Sequence, residues 1–286
     1  MSNTEFIPYH INANSADFEG NGVWGRYVLI PGSDGRASKI ASGWKNLQEK
    51  RHSRAHNLYL GTMSTTIGDI EVAAISTGMG AASADIIINE LKQLGVCNFI
   101  RVGTAGSLQP EFIRGGEIIV PTGSVRDEST TTRYVPVEVP AVPSLDFLIA
   151  ARIAMESVAS QYPVHFGLVH SKDSLYAREF HAGPQKQENE RYMQVLKDAG
   201  ILASEMETSL LFTLGGIYNF KNISSQQTGM LVGAILAIIG DDTPIGNKDV
   251  VENAIDRAVE FGLKTLEILH GMRTGKIQPL ITMEGK

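Results

Sequence analysis

Apolar positions along this chain follow two alternating patterns. Short runs rich in valine and isoleucine are typical of buried strands, and they predict strands at 27–30, 72–76, 98–102, 117–120, 165–169 and 231–238. Between these runs, apolar residues recur at helical spacing and predict helices at 81–94, 144–160, 188–199, 208–214 and 250–271. Strands that alternate with helices in this way indicate a layered α/β fold.

The pattern continues over most of the chain without a break. No repeat, low-complexity tract or linker interrupts residues 20–272, so we expect a single domain over that range. An N-terminal segment, 1–19, and a C-terminal tail, 273–286, flank this domain.

Composition narrows the class of protein. An apolar fraction of 43% and a charged fraction of 20% in 286 residues are those of an ordinary globular protein. The net charge of −6 argues against a nucleic-acid partner. The single cysteine, Cys97, excludes an internal disulfide and fits a reducing compartment. The first five residues lack the features of a signal peptide, and the longest apolar stretch, 230–239, is too short to span a membrane, so we expect a cytoplasmic protein.

Two carboxylates lie where an apolar strand meets an apolar helix, in the segment Glu205-Met206-Glu207. A carboxylate at the end of a buried strand is costly unless it is hydrogen-bonded. Glu207 is therefore a candidate for binding a polar ligand, and the two hydroxyls of a ribose would suit it. The alternative is a structural role, because an acid at a helix N-terminus is favoured by the helix dipole.

Glycine-containing turns follow two of the predicted strands, at 31–36 and 77–80. Glycine lets a backbone approach a ligand closely, and free N–H groups at a helix start favour anions. Together with Arg36 and Arg101, these turns predict a small-anion site at the carboxyl ends of the strands. Neither turn matches a nucleotide-binding motif, and no group of histidines has metal-ligand spacing, so we expect no metal and no organic cofactor.

Several segments together resemble the nucleoside phosphorylase family, and within it the uridine phosphorylases. The resemblance is collinear over roughly residues 8–270, as expected for a family member, and its clearest segments are R-V-G-T-A-G-S-L-Q at 101–109, E-M-E at 205–207, S-T-G-M-G at 76–80 and I-P-G-S-D-G-R at 30–36. It implies a three-layer α/β/α sandwich around a mixed central sheet. It also implies phosphorolysis, in which a nucleoside and inorganic phosphate, the co-substrate, give a free base and ribose 1-phosphate.

The same resemblance assigns roles to individual residues. It implies that phosphate is bound by Gly32, Arg36, Arg54, Arg101 and Thr104. It implies that ribose is bound by His10, Glu205, Met206 and Glu207. Arg101, Thr104 and Glu207 would be the catalytic residues. His10 and Arg54 match residues that reach a neighbouring subunit, so the resemblance implies a homodimer as the minimal active unit, with the segment 1–19 at its interface, and hexamers built from such dimers.

The base pocket departs from the family pattern. The resemblance assigns the base to Ala105, Gly106, Leu175, Arg178 and Glu179. Leu175 replaces a stacking phenylalanine, Arg178 or Glu179 stands where a glutamine reads uracil, and the usual late arginine is missing. Ser33 and Ala105 replace an aspartate and a hydroxyl residue.

Uridine phosphorolysis is the leading hypothesis, and three alternatives stay open. One is a purine nucleoside phosphorylase that uses Asp241 or Asp242 as the acid, although a place before a helix explains these residues as well. Another is a nucleosidase that uses water, against which the retained phosphate-binding residues argue. The third is a family member that binds nucleosides without catalysis.

Overall fold

The structure is a computed structural model that describes residues 6–223, 229–241 and 246–278. Its strands are β1 Tyr27–Leu29, β2 Lys45–Lys50, β3 Leu58–Thr65, β4 Gly68–Ile75, β5 Asn98–Ser107, β6 Ile118–Asp127, β7 Val164–Lys172, β8 Ala203–Glu205 and β9 Leu231–Gly240. Its α-helices are α1 Asp34–Ala41, α2 Ala81–Gln93, α3 Leu145–Val158, α4 Leu175–Arg178, α5 Lys186–Asp198, α6 Thr208–Ile223 and α7 Lys248–Arg273.

The strands form one mixed sheet that closes on itself at one end. Their order is β2-β3-β4-β1-β5-β8-β7-β6-β9, and β9 also pairs with β5 over most of its length. Strands β5, β8, β7, β6 and β9 therefore make a closed ring, from which β1, β4, β3 and β2 extend as an open wing. Parallel pairing of β1 with β4 and with β5 brings the turns after β1 and β4 to the same end of the sheet.

Helices cover both faces of the sheet, as three layers require. Side chains along β1 alternate between the two faces, because successive residues of a strand point in opposite directions. Tyr27 and Leu29 pack with helices α1, α3 and α7 on one face. Val28 and Ile30 pack with helices α2 and α6 on the other. The three-layer sandwich around a mixed sheet is confirmed.

Most predicted elements are present, and the differences have physical causes. All six predicted strands and all five predicted helices are found, with bounds shifted by a few residues except where α6 and several strands run longer. Strand β2 was not predicted because it is a polar, exposed edge strand with no buried face. Strand β3 was not predicted either, although it is largely buried, because Gly61 and Thr62 interrupt its apolar run. Strand β8 has only three residues, and α1 begins within the segment read as a glycine turn.

Both flanking segments contact the domain. Ile11 and Phe18, in the N-terminal segment, belong to the core beneath α2, and Ile277 packs on the opposite core. Residues 279–286 of the tail lie outside the described residues. No helix of the described part of the chain has the length and apolar character needed to cross a bilayer.

Candidate active site

A cavity of about 390 Å³ lies beside β5, under the turns that follow β1 and β4. Most of the residues predicted for the site line it, namely Gly32, Arg36, Arg101, Thr104, Ala105, Gly106, Leu175, Glu179, Glu205, Met206 and Glu207. Residues as far apart in the chain as Gly32 and Glu207 thus meet, because β1, β5, β8 and β7 follow one another in the sheet.

Two arginines form the cationic part of this cavity. Arg101 is buried, and its Nη1 atom has no hydrogen-bond partner among the described residues; the same holds for the buried Nε of Arg36. Burial and the nearby Arg101 guanidinium lower the pKa of Arg36 to about 10. One buried and one half-buried cation that repel each other and retain unpaired donors are arranged for an anion.

Glu205 is held from several sides. Its carboxylate accepts hydrogen bonds from the main-chain N–H of Glu207 at 2.9 Å, from that of Thr208 at 2.9 and 3.0 Å, and from Nε of Arg101 at 3.2 Å. The hydroxyl of Ser171 donates to it as well. Burial acts to raise the pKa of Glu205, but Arg101 and these hydrogen bonds outweigh it and lower the pKa. Glu205 thus orients Arg101 and caps the start of α6, with its oxygens already occupied.

Glu207 has fewer partners. One of its carboxylate oxygens accepts from the main-chain N–H of Gly80 at 2.5 Å, and the other accepts from Nη2 of Arg101. Burial, reinforced by the charge of Glu205, raises the pKa of Glu207, and Arg101 opposes that shift only in part. Its oxygens retain accepting capacity toward the cavity.

The glycine turn after β4 brings a main-chain N–H to Glu207. Gly78 and Gly80 have φ angles of +74° and +84°, which residues with a side chain rarely adopt. A Cβ atom at Gly78 would lie 2.3 Å from the hydroxyl oxygen of Ser83. Glycine is therefore required at Gly78 both by conformation and by space.

The loop after β1 is anchored without the family's aspartate. Ser33 makes no capping hydrogen bond at the start of α1. Asp34, the next residue, instead accepts from the Asn57 amide at 3.0 Å and from the Tyr59 hydroxyl at 3.3 Å. These bonds attach α1 to β3 and keep Arg36 beside the cavity.

An ion pair that sequence reasoning missed lies in the same cavity. Lys172, the last residue of β7, is buried, and its ammonium nitrogen is 2.6 Å from the Glu179 carboxylate. It also donates to the Ser204 hydroxyl at 2.9 Å. The available signal was a lysine three residues after Val169, at the end of a buried strand, where a charge is unusual unless it is paired.

Arg178 does not line this cavity but a smaller neighbouring one of about 160 Å³. Its guanidinium forms a two-point ion pair with Asp127 at 2.7 and 2.8 Å, and it donates to Asn189 at 2.6 Å. It also lies over the Tyr192 ring, 4.1 Å from the ring centroid. With three of its donors held by the protein, Arg178 fixes helix α4 rather than facing the cavity predicted for the base.

His10 and Arg54 are also outside the cavity. The His10 ring is 2.7 Å from Glu90, which also accepts from the His10 main-chain N–H. Arg54 is exposed and lies 5.8 Å from the centroid of the exposed Tyr9 ring. The two residues thus share one surface region instead of joining the rest of the predicted site.

The acid proposed for a purine enzyme has a structural partner. Asp241 accepts from the main-chain N–H of Gly115 at 2.9 Å and lines the smaller cavity. Asp242 lies outside the described residues. Within the described residues, no group of three or more histidine, cysteine or acidic side chains is arranged to hold a metal ion.

Comparison with known proteins identifies the family. The sequence model of the phosphorylase superfamily matches residues 26–267 of this chain. A uridine phosphorylase of Treponema pallidum is 35% identical over 91% of this chain and 93% of its own length. A guanosine phosphorylase of Halorubrum lacusprofundi is 31% identical over 80% of this chain and 89% of its own.

Solved structures agree with the sequence relatives. The crystal structure of a uridine phosphorylase from Vibrio fischeri superposes with a TM-score of 0.69 and 29% sequence identity, over 84% of this chain and 91% of that one. The prediction of a nucleoside phosphorylase fold and of a pentosyltransferase is therefore confirmed. The chain belongs to the phosphorylase superfamily, as a pentosyltransferase of its nucleoside phosphorylase branch.

Proposed function

We propose that this protein catalyses the phosphorolysis of uridine, giving uracil and ribose 1-phosphate. The observation that carries the proposal is the meeting of Arg36 and Arg101, with unpaired buried donors, and Glu207, with a raised pKa, in one cavity. A cationic end suits phosphate, and an adjacent acceptor suits the ribose hydroxyls. The uridine phosphorylases among its relatives support the choice of base.

The proposed roles follow from the contacts. Phosphate lies against the main-chain N–H groups of the Gly32 loop, the guanidinium groups of Arg36 and Arg101, and the Thr104 hydroxyl. It relieves the repulsion between the two arginines, so their arrangement favours its binding electrostatically. Phosphate is the co-substrate, and no further cofactor takes part.

Glu207 accepts hydrogen bonds from the two ribose hydroxyls, and Met206 packs against the sugar. Glu205 acts through Arg101 and the start of α6 as a positioning residue. This arrangement holds C1′ of the ribose next to the phosphate, so that charge developing on the ribose during C–N cleavage is met by the phosphate dianion.

The functional unit we propose is a homodimer in which His10 and Arg54 complete the partner's site. Their position on one surface, outside the cavity of their own chain, supports this assignment. Hexamers built from such dimers are compatible with it. We place the single domain at 20–272 and the activity in cytoplasmic nucleoside salvage.

A second candidate is phosphorolysis of a purine nucleoside such as guanosine. It is favoured by the acidic Glu179 in the cavity, because guanine presents two neighbouring N–H donors to a carboxylate. The guanosine phosphorylase relative supports it as well.

Base release from uridine, thymidine, cytidine, guanosine, inosine and adenosine, with and without phosphate, tests these proposals. We expect phosphate-dependent release from uridine, and in Arg36→Gln a KM for phosphate raised about 10- to 100-fold, because one charged donor is lost. Release from purine nucleosides alone would favour the second candidate. Release without phosphate would indicate a nucleosidase, and binding without release would indicate a protein that has lost catalysis.

A further inference from the structure

Lys172 has no role in the functions assigned so far, and its ion-pair partner Glu179 has one only as a residue that would contact the base. The Lys172 side chain is 2% exposed and that of Glu179 is 11% exposed. The ammonium group contacts Glu179 at 2.6 Å, the Ser204 hydroxyl at 2.9 Å and the main-chain oxygen of Glu205 at 3.3 Å. Both side chains line the cavity that holds Arg36, Arg101 and Glu207.

Stability alone is a poor reason for this pair. Desolvation of two charges offsets most of their attraction, and apolar residues of similar size are often as stabilising. The surrounding wall is apolar, with Ala105, Leu175 and Ile239, and suits a flat ring. An acceptor and a cation next to each other on such a wall match a ring N–H next to a carbonyl oxygen, the edge that uracil presents.

We propose that Lys172 stabilises the negative charge of the departing base, while Glu179 accepts the hydrogen bond of its ring N–H. The inference rests on the proposed phosphorolysis and adds to it the residue that activates the leaving group. In the described part of the chain, the cationic side chains lining the cavity are Arg36, Arg101 and Lys172. Since the two arginines serve phosphate, Lys172 is the remaining cation of the cavity wall. Its three N–H groups already contact Glu179, Ser204 and Glu205, so it acts on the base through its charge.

The neighbouring basic side chains line the smaller cavity. Arg178 is bound to Asp127 and Asn189 and lines the smaller cavity, and His181 lines that cavity too. Lys172, in contrast, is fixed by the last residues of β7 and β8, two strands of the closed ring. The position of the Lys172 ammonium group is therefore fixed by the sheet. A charge that stabilises a leaving group must be held in place before the reaction, and this position meets that requirement.

The reaction balances without any further reagent. The C1′–N1 bond of the nucleoside breaks and leaves its electron pair on the base, where it spreads to the carbonyl oxygens. An oxygen of hydrogen phosphate forms the new bond to C1′. The base takes a proton from solvent and the phosphate releases its own, so the net proton transfer runs from hydrogen phosphate to the base. Lys172 keeps its protons throughout and acts as a charge.

Two single variants that break the same ion pair separate this role from a structural one. Lys172→Gln removes the cation, and we expect kcat for uridine to fall about 100-fold, the usual size of effect for loss of one preorganised charge stabiliser. Glu179→Gln breaks the same pair but leaves the cation in place and replaces a charged acceptor by a weaker one, so we expect the KM for uridine to rise about 10-fold with a much smaller change in kcat. If the pair served only stability, both variants would reduce kcat alike, and that result would overturn the proposal.

Leaving-group dependence gives a second readout. 5-Fluorouridine releases a more acidic base that needs less stabilisation, so the loss in Lys172→Gln should shrink to about 10-fold or less with this substrate. An equal loss with both substrates would contradict a role in charge stabilisation. The double variant K172Q/E179Q leaves no buried unpaired charge and should resemble Lys172→Gln, which guards against misfolding of the single variant. Absence of phosphate-dependent release in the unaltered protein would instead refute the proposed function itself.

Discussion

Two glutamates separated by one residue have opposite electrostatic behaviour in this protein. Glu205 is surrounded by N–H and O–H donors and by Arg101, and its pKa lies below the usual value. Glu207 has fewer donors and sits next to the charge of Glu205, and its pKa lies above the usual value. A lowered pKa means that the folded state prefers the ionised form, and a raised pKa means that it prefers the neutral form. Their different surroundings thus make Glu205 a structural carboxylate and leave Glu207 as the carboxylate that faces the cavity.

This difference predicts opposite effects on stability. At pH values above the ordinary carboxyl pKa, ionised Glu205 stabilises the folded state. This stabilisation is lost as the pH falls through the lowered pKa of Glu205. Glu207 has the opposite effect, because the folded state becomes less stable as the pH rises from the ordinary carboxyl pKa to the raised pKa of Glu207. At neutral pH, Glu205→Gln should therefore reduce the free energy of unfolding by about 3 kcal/mol, whereas Glu207→Gln should leave it unchanged or raise it.

Urea unfolding monitored by circular dichroism measures both variants, and phosphorolysis assays should show that each has lost activity. Equal destabilisation by the two substitutions would contradict the assignment of structural and ligand-facing roles. The same urea unfolding experiments at pH 5 should show a smaller difference in the free energy of unfolding between the unaltered protein and Glu207→Gln. At that pH, less of the free-energy cost of ionising Glu207 is present.

At the scale of elements, the site depends on short turns that follow the strands and place their residues beside the cavity. The turn after β4 brings the N–H of Gly80 to Glu207, and the turn after β1 leads Arg36 to the cavity through α1. Glycines occur in both turns, but only one turn needs its glycine for conformation. Gly78 has a φ of +74°, whereas Gly35 lies in α1 with open space around it.

The two glycines form a matched pair of alanine substitutions. Gly78→Ala combines a strained backbone with a clash against Ser83, so we expect the free energy of unfolding to fall by about 2 kcal/mol or more. Gly35→Ala should be neutral or stabilising by about 0.5–1 kcal/mol, because alanine favours the helix. Chemical denaturation of both variants checks this, and a similar response at both positions would show that the Gly78 turn adapts easily.

Much of this architecture was predictable from sequence because buried strands and amphipathic helices leave periodic patterns. The same is true of most residues that line the cavity, because they belong to short local motifs. What escaped prediction depends on how the elements pack against one another. Lys172 lies beside Glu179 only because helix α4 folds back on β7, and Arg178 turns away because Asp127 binds it. Strand β2 left no pattern, since neither of its faces is buried.

At the scale of the whole molecule, the predicted dimer makes each active site depend on two chains. Arg101 belongs to the cavity of its own chain, while Arg54 is proposed to serve the partner's. Arg54→Gln and Arg101→Gln should each be nearly inactive as pure proteins. Unfolded together and refolded, they should regain about a quarter of normal activity, because half of the dimers are mixed and each mixed dimer has one intact site.

Activity of the refolded mixture and its mass by light scattering are the measurements. Each variant refolded alone serves as the control and should stay inactive. A mixture no more active than its components would mean that Arg54 acts within its own chain or not at all.

The closed end of the sheet has a consequence for how the protein behaves when concentrated. Among the described strands, the ring formed by β5 to β9 has no unpaired edge, so the free edge of the sheet is β2. That strand bears Lys45, Glu49 and Lys50, and the chain has a positive φ of 54° at Asn46, where the pairing with β3 shifts register. Charges and an irregular backbone make an edge a poor template for another strand. The fold therefore leaves little opportunity for strand addition between molecules, and we expect the native protein to resist aggregation through its sheet.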